Sequence, residues 1–177
     1  MPPERPPRPI TQDPSRGSFP ACVVTLAADP TSAAGWVGAA LREQRWKPRP
    51  SVAARSEGAE LWEIGGPVRA FFLDDHFDVV VRSVVPRAAA WLAHGQAVSQ
   101  VVTSGHPGAP TSTVTLSLVH GILDCRETFA LVVRTLRGHA VRAGALHPDA
   151  VPTWSAAHDL PAGSPSDPRS RRRLFRG

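Results

Sequence analysis

The stretch VTLSLVHGILDCRETFALVVRTL, residues 114–136, decides the fold of this chain. Residues 114–118 alternate apolar and polar side chains, and this period of two predicts a β-strand. From Phe129 onward the apolar residues follow the spacing i, i+3, i+4, i+7, which is typical of an amphipathic helix. The stretch therefore predicts a strand over 114–119 and a helix that begins near Arg126.

The same approach divides the rest of residues 18–158 into strands and helices. A valine-rich segment over 21–27 predicts a first strand, and a helix fits 32–46, where Thr31 or Ser32 can cap it. Further strands are expected over 51–55, 59–64 and 97–103, the first two joined by a hairpin turn. This order of elements predicts an α/β fold, a two-layer sandwich in which helices cover one face of a mixed sheet.

Both ends of the chain differ in composition from this central domain. Residues 1–17 are rich in proline and charge without periodicity, so they are expected to be disordered. The last nine residues hold five arginines, which account for the whole formal net charge of +5 and leave the rest of the chain neutral. Residues 159–177 are therefore expected to form a disordered, arginine-rich tail, and this location of the charge argues against nucleic acid as the partner.

The composition is that of a soluble globular protein. Of the 177 residues, 42% are hydrophobic and 20% are charged, and the chain is long enough to bury one core. No apolar run approaches the roughly 18 residues of a membrane helix, and the amino terminus lacks the apolar stretch of a signal peptide. A cytoplasmic location is expected, with Cys22 and Cys125 as buried, reduced side chains.

His120 and Asp124 form an HxxxD motif between the predicted strand and helix. A strand end projects a side chain from a rigid backbone. An imidazole titrates near neutral pH, so His120 could take a proton from a hydroxyl or amine that attacks a thioester. The same spacing also fits a structural interpretation, in which a partly buried histidine is followed by an aspartate that caps the helix.

The order of strand, HxxxD motif and amphipathic helix resembles the chloramphenicol acetyltransferase-like and condensation-domain superfamily of acyltransferases. The predicted strand over 22–27 and helix over 33–46 are similar to the family's opening strand and helix, and residues 47–64 resemble the hairpin stretch that follows. The resemblance covers about residues 20–143 and only the N-terminal half of the family's fold.

This resemblance implies that His120 is the general base that deprotonates the acceptor, and that Asp124 orients the motif. The acyl donor would be a thioester of coenzyme A or of a carrier protein, the acceptor a small molecule, and no metal or tightly bound cofactor would be needed. The chain departs from the family's HHxxxDG pattern at Val119 and Cys125. Activity would need a homodimer or a second protein that supplies the missing half. The alternative is a non-catalytic, truncated homologue that acts as an interaction module.

Other polar groups are weaker candidates. Residues 74–78 include a cluster of polar side chains, Asp74, Asp75, His76 and Asp78. This cluster could bind a divalent ion, but such a cluster is also typical of a polar turn. His147 and His158 lack the spacing of metal ligands, and Ser104-Gly105-His106 lacks the strand-turn-helix context of a hydrolase. The five tryptophans are expected in the core or in interfaces rather than in a base-stacking surface: they are Trp36, Trp46, Trp62, Trp91 and Trp154.

Overall fold

A six-stranded antiparallel sheet organises the computed structural model, which describes residues 19–65, 94–104, 110–122, 125–146 and 151–175. The strands are β1 (Pro20–Leu26), β2 (Lys47–Arg49), β3 (Ala59–Ile64), β4 (His94–Ser104), β5 (Thr111–Ile122) and β6 (Thr153–Ala156), in the order β2-β3-β4-β5-β1-β6. The α/β class is confirmed. The expected mixed sheet is wrong for these strands, because every pair runs antiparallel.

Two long helices, α1 (Pro30–Glu43) and α3 (Cys125–Arg142), pack side by side on one face of the sheet. Helix α1 begins earlier than the sequence predicts because Asp29, rather than Thr31 or Ser32, is its cap. The Asp29 carboxylate accepts hydrogen bonds from the backbone N–H groups of Thr31 and Ser32 at 2.9 Å, and Pro30 supplies the backbone angle that suits the first helical position.

The main core lies between these helices and the sheet. The alternating residues of β5 point into it, as the sequence predicts, together with the apolar side of α3. Its largest fully buried members include Leu116 and Leu118 of β5, Phe129 and Leu136 of α3, and Trp46 and Trp62. At roughly 25 cal/mol for each Å² of apolar surface removed from water, this cluster supplies the main driving force that holds both helices on the sheet.

A second layer covers the other face of the sheet. Helices α2 (Val52–Ser56) and α4 (Arg171–Leu174) contact each other there, and Leu174 is 0% exposed in a cluster with Leu61, Val98 and Val119. The prediction of helices on one face only is therefore wrong. The prediction that residues 159–177 are disordered is also wrong for 159–175, because apolar side chains among the arginines fill a gap in this layer.

Residues 51–55 form a helix rather than the predicted strand. The Ser51 hydroxyl oxygen accepts a hydrogen bond from the Ala54 N–H at 3.2 Å, which caps α2, and the same hydroxyl donates to the carbonyl of Leu174 at 2.9 Å. The strands predicted at 21–27, 59–64, 97–103 and 114–119 and the helix predicted from Arg126 are confirmed within a few residues. The N-terminal segment 1–17 lies outside the described residues.

Candidate functional site

His120 lies in β5, two residues before the strand ends at Ile122, and is half-buried. A β-bulge changes the face to which it belongs. On the neighbouring strand Ala97 pairs with Leu118 and the preceding Gln96 pairs with His120, so Val119 is the extra residue. Strict alternation from Leu118 would place His120 toward α1 and α3. The bulge instead places it on the face of its partner Gln96, because paired residues share a face.

The surroundings of His120 on this face are polar. The Gln96 amide donates to Glu63 Oε1 at 2.7 Å and accepts from Arg171 Nε, while Glu63 Oε1 also accepts from Arg49 at 2.7 Å. Burial lowers the pKa of the Arg171 guanidinium, an effect that nearby Arg172 strengthens and Glu63 opposes. This hydrogen-bonded chain fastens the C-terminal segment to the sheet.

The Phe19 ring meets the His120 ring edge to face, with the two ring centroids 6.4 Å apart. Phe19 also anchors the start of the C-terminal layer, because its carbonyl accepts a hydrogen bond from the Ala157 N–H at 2.6 Å. His120 thus contacts a ring that itself packs against the main core.

Asp124, the second residue of the motif, lies outside the described residues, so the expected His120–Asp124 arrangement stays a prediction. Its neighbour Cys125 is 1% exposed and fills the space that two paired glycines leave. A Cβ atom on Gly95 would lie 2.9 Å from Cys125 Sγ, and one on Gly121 would lie 3.0 Å from Cys125 Cβ. The two glycines therefore allow α3 to begin directly against the sheet.

The described residues do not bring the weaker candidates from the sequence together into a site. His158 pairs with its neighbour Asp159 at 3.4 Å on the surface, and both cysteines are buried, as expected. Within the described ranges no three His, Cys, Asp or Glu side chains are grouped as metal ligands, and no helix is long and apolar enough to span a membrane. The acidic cluster at 74–78, Trp91, His106 and His147 lie outside those ranges.

A second candidate site lies at the opposite end of β4. The pairing of β3 with β4 stops at Ala59 and Gln100, whereas β4 continues to Ser104 and stays paired with β5 throughout. No described strand pairs with the other side of Val101–Ser104, which we call the open edge. Val102 is 51% exposed there, and residues 97–104 carry no charged side chain and no proline, the features that usually protect an exposed edge.

A groove lies between the sheet and the first turns of α1 and meets the open edge at Val101. Its volume is about 440 Å³. Its wall is largely apolar, with Arg55 and Glu60 as its charged residues. The lining residues include Ala34 and Val37 of α1, Ser99 and Val101 of β4, and the oppositely charged Arg55 and Glu60.

Two features of the sequence indicate this site. Residues 100–104 form an uncharged β-prone run, and the strand predicted at 59–64 is too short to pair with all of β4. Neither the family models, nor the curated proteins, nor the solved structures contain a match to this chain.

Proposed function

We propose that this chain is an interaction module that binds an extended peptide as an added strand on the open edge of β4. The observation that carries the proposal is that the uncharged, partly exposed strand edge begins at Val101, the residue at which it meets the groove under α1. Strand addition uses both: backbone hydrogen bonds supply affinity, and alternate side chains that enter a pocket supply specificity.

The backbone of the open edge defines the chemistry of the occupant. In a strand each residue directs its N–H and C=O to one side and the next residue directs them to the other. Two of the four residues over 101–104 therefore present both groups to the open edge, and a peptide backbone pairs with them. Every second side chain of that peptide would enter the groove, where Ala34 and Val37 favour small or branched apolar groups.

A peptide fits this edge better than a second copy of the chain. Four residues of strand span only about 13 Å, and edge-to-edge pairing over that length buries far less than the roughly 800 Å² per partner of a stable interface. A peptide that lies under α1 gains contacts with the helix as well as with the strand. The homodimer expected from the resemblance stays a prediction.

The test is selection from a random nine-residue peptide library displayed on phage with accessible carboxyl termini. We expect enriched sequences with apolar residues at alternate positions, whose synthetic versions bind the protein in fluorescence anisotropy. Val101→Lys places a charge in the groove and should weaken binding at least about tenfold, because the ammonium would be desolvated by the peptide. Val102→Lys is the matched control, since its side chain lies on the opposite face, and binding should remain.

Ala34→Leu fills the groove from the helix side and should weaken binding without any change in β4. Circular dichroism verifies that each variant is folded. The proposal is wrong if no sequence is enriched over the uncoated surface, or if the enriched peptides bind Val101→Lys and Ala34→Leu as well as they bind the original protein. Concentration-dependent dimerisation through β4 would show that a second copy occupies the edge instead.

A second candidate function is acyl transfer from a thioester of coenzyme A or a carrier protein, with His120 as the general base. The specific observation in its favour is the bulge at Val119, because bulges frequently re-aim a side chain beside an active site. In this reaction the imidazole would take the proton of a hydroxyl or amine as that group attacks the thioester carbon, and would return the proton to the sulfur as the carbon–sulfur bond breaks and the thiol leaves. Asp124 would orient the motif.

Thioester consumption by the original protein and by His120→Ala, each alone and with candidate partners, tests this second function. Turnover that disappears in the variant supports it. Equal consumption by both proteins, or none above the uncatalysed rate, excludes His120 as the base. Peptide binding at β4 should be unchanged in His120→Ala, so the two functions are tested independently.

A further inference from the structure

The open edge is closed at one end by the chain itself. From Gly95 to Gln100 the position beside β4 is occupied by β3, which begins at Ala59 opposite Gln100. The turn before β3 is held in place there, because the side-chain amide of Gln100 donates to the carbonyl of Glu57 at 3.4 Å. A peptide strand along Val101–Ser104 must therefore end or turn away at residues 57–58.

The direction of the peptide follows from the sheet. All described strand pairs are antiparallel, and an antiparallel peptide on β4 continues the ladder that β3 makes, in the same direction as β3. Antiparallel pairing is also slightly more stable per residue than parallel pairing. A peptide in this direction has its carboxyl end at the closed end of the edge, next to Gly58.

A cation lines the groove at this closed end. Arg55 belongs to the groove wall and is exposed. The adjacent Arg173 is already engaged, because its guanidinium lies 2.6 Å from a carboxylate oxygen of Glu57 and also donates to the carbonyl of Gly163 at 3.2 Å. Arg55 is thus placed to meet an anion that enters with the peptide, and a guanidinium can hold a carboxylate through two parallel hydrogen bonds.

From these three observations we infer that the groove captures the free carboxyl terminus of a partner protein, with Arg55 binding the terminal carboxylate. This inference rests on the proposed function and names its ligand class: an extended C-terminal peptide with apolar residues at alternate positions. Glu60, which carries the opposite charge in the same groove, is the control residue for Arg55. Its carboxylate should oppose the binding of an anion, whereas Arg55 should favour it.

The experiment uses one peptide enriched by the library selection, synthesised with a free carboxyl terminus and with a carboxamide terminus. We expect amidation to weaken binding about tenfold or more, the effect of one hydrogen-bonded charge contact. In Arg55→Gln the acid and the amide should bind with similar affinity. In the matched variant Glu60→Gln the preference for the acid should persist and the acid should bind slightly more tightly.

The outcomes separate this inference from the function on which it rests. If peptides bind at β4 but the acid and amide forms bind equally, the carboxyl-terminus inference is wrong and strand addition stands. The same conclusion follows if Arg55→Gln keeps the full preference for the acid. If no peptide binds at all, strand addition itself fails and the inference fails with it.

Discussion

Replacement of Leu174 by alanine tests whether the arginine-rich C-terminal segment is a folded part of the protein. Leu174 is 0% exposed and packs with Leu61, Val98 and Val119 on the sheet. A buried Leu→Ala change costs about 2–5 kcal/mol, which combines the lost transfer free energy and the cavity left behind. Because a short segment can partly collapse onto the gap, we expect the lower part of that range, about 2–3 kcal/mol.

At about 2–4 °C per kcal/mol for a protein of this size, the melting temperature should fall by about 4–12 °C. Urea unfolding followed by tryptophan fluorescence measures the free energy directly. Arg172→Ala is the matched control, because it removes an exposed side chain from the same short helix and should change stability by less than about 0.5 kcal/mol. If the two variants are equally stable, the C-terminal segment is not packed on the sheet, and the disorder expected for residues 159–177 stands.

Gly95→Ala should lower the unfolding free energy by about 1–3 kcal/mol because its Cβ would lie 2.9 Å from Cys125 Sγ. Addition of Cys125→Ala should recover part of this loss. Purely additive effects of the two substitutions in urea unfolding would show that the two residues are not coupled. Burial raises the pKa of the Asp167 carboxyl, but the hydrogen bonds from Arg169 and Gly163 outweigh it and hold the pKa below its ordinary value. The Asp167 contribution is therefore present at neutral pH and lost as pH falls through the lowered pKa, so Asp167→Asn should be less stable than the original protein at pH 7 and nearly as stable near pH 2; a pH-independent difference would contradict this. His120→Ala should bind the selected peptides as the original protein does, because His120 pairs with Gln96 near the other end of β4, and a weaker anisotropy signal would refute this separation of the two sites.

Periodicity predicted the strands and the long helices because it reports which side of an element is buried. The alternation in β5 and the stripe in α3 both point into the main core, so the sequence pattern and the packing agree. The same signal failed at 51–55, where the hydrogen bonds of one serine side chain decide between strand and helix. The charge of the last residues suggested disorder, although Leu174 and Phe175 are buried among them.

The candidate sites were harder to predict than the fold, because each depends on register. The bulge at Val119 decides which face His120 occupies, and a bulge leaves no mark in the apolar pattern of one strand. The open edge exists because β3 pairs with only six residues of β4, which is a relation between two strands distant in the sequence. Arg55 lies beside the groove because it belongs to α2, the segment that the sequence pattern wrongly predicted to be a strand.

Amide hydrogen exchange of Val101–Ser104, with and without a saturating selected peptide, tests strand addition most directly. We expect the peptide to slow exchange at two alternate amides of this segment, because only the outward-directed N–H groups gain a hydrogen-bond partner. The amides of 95–100, which already pair with β3 or β5, should change little. Unchanged exchange over 101–104 in the presence of bound peptide, or protection confined to another surface, would contradict the account.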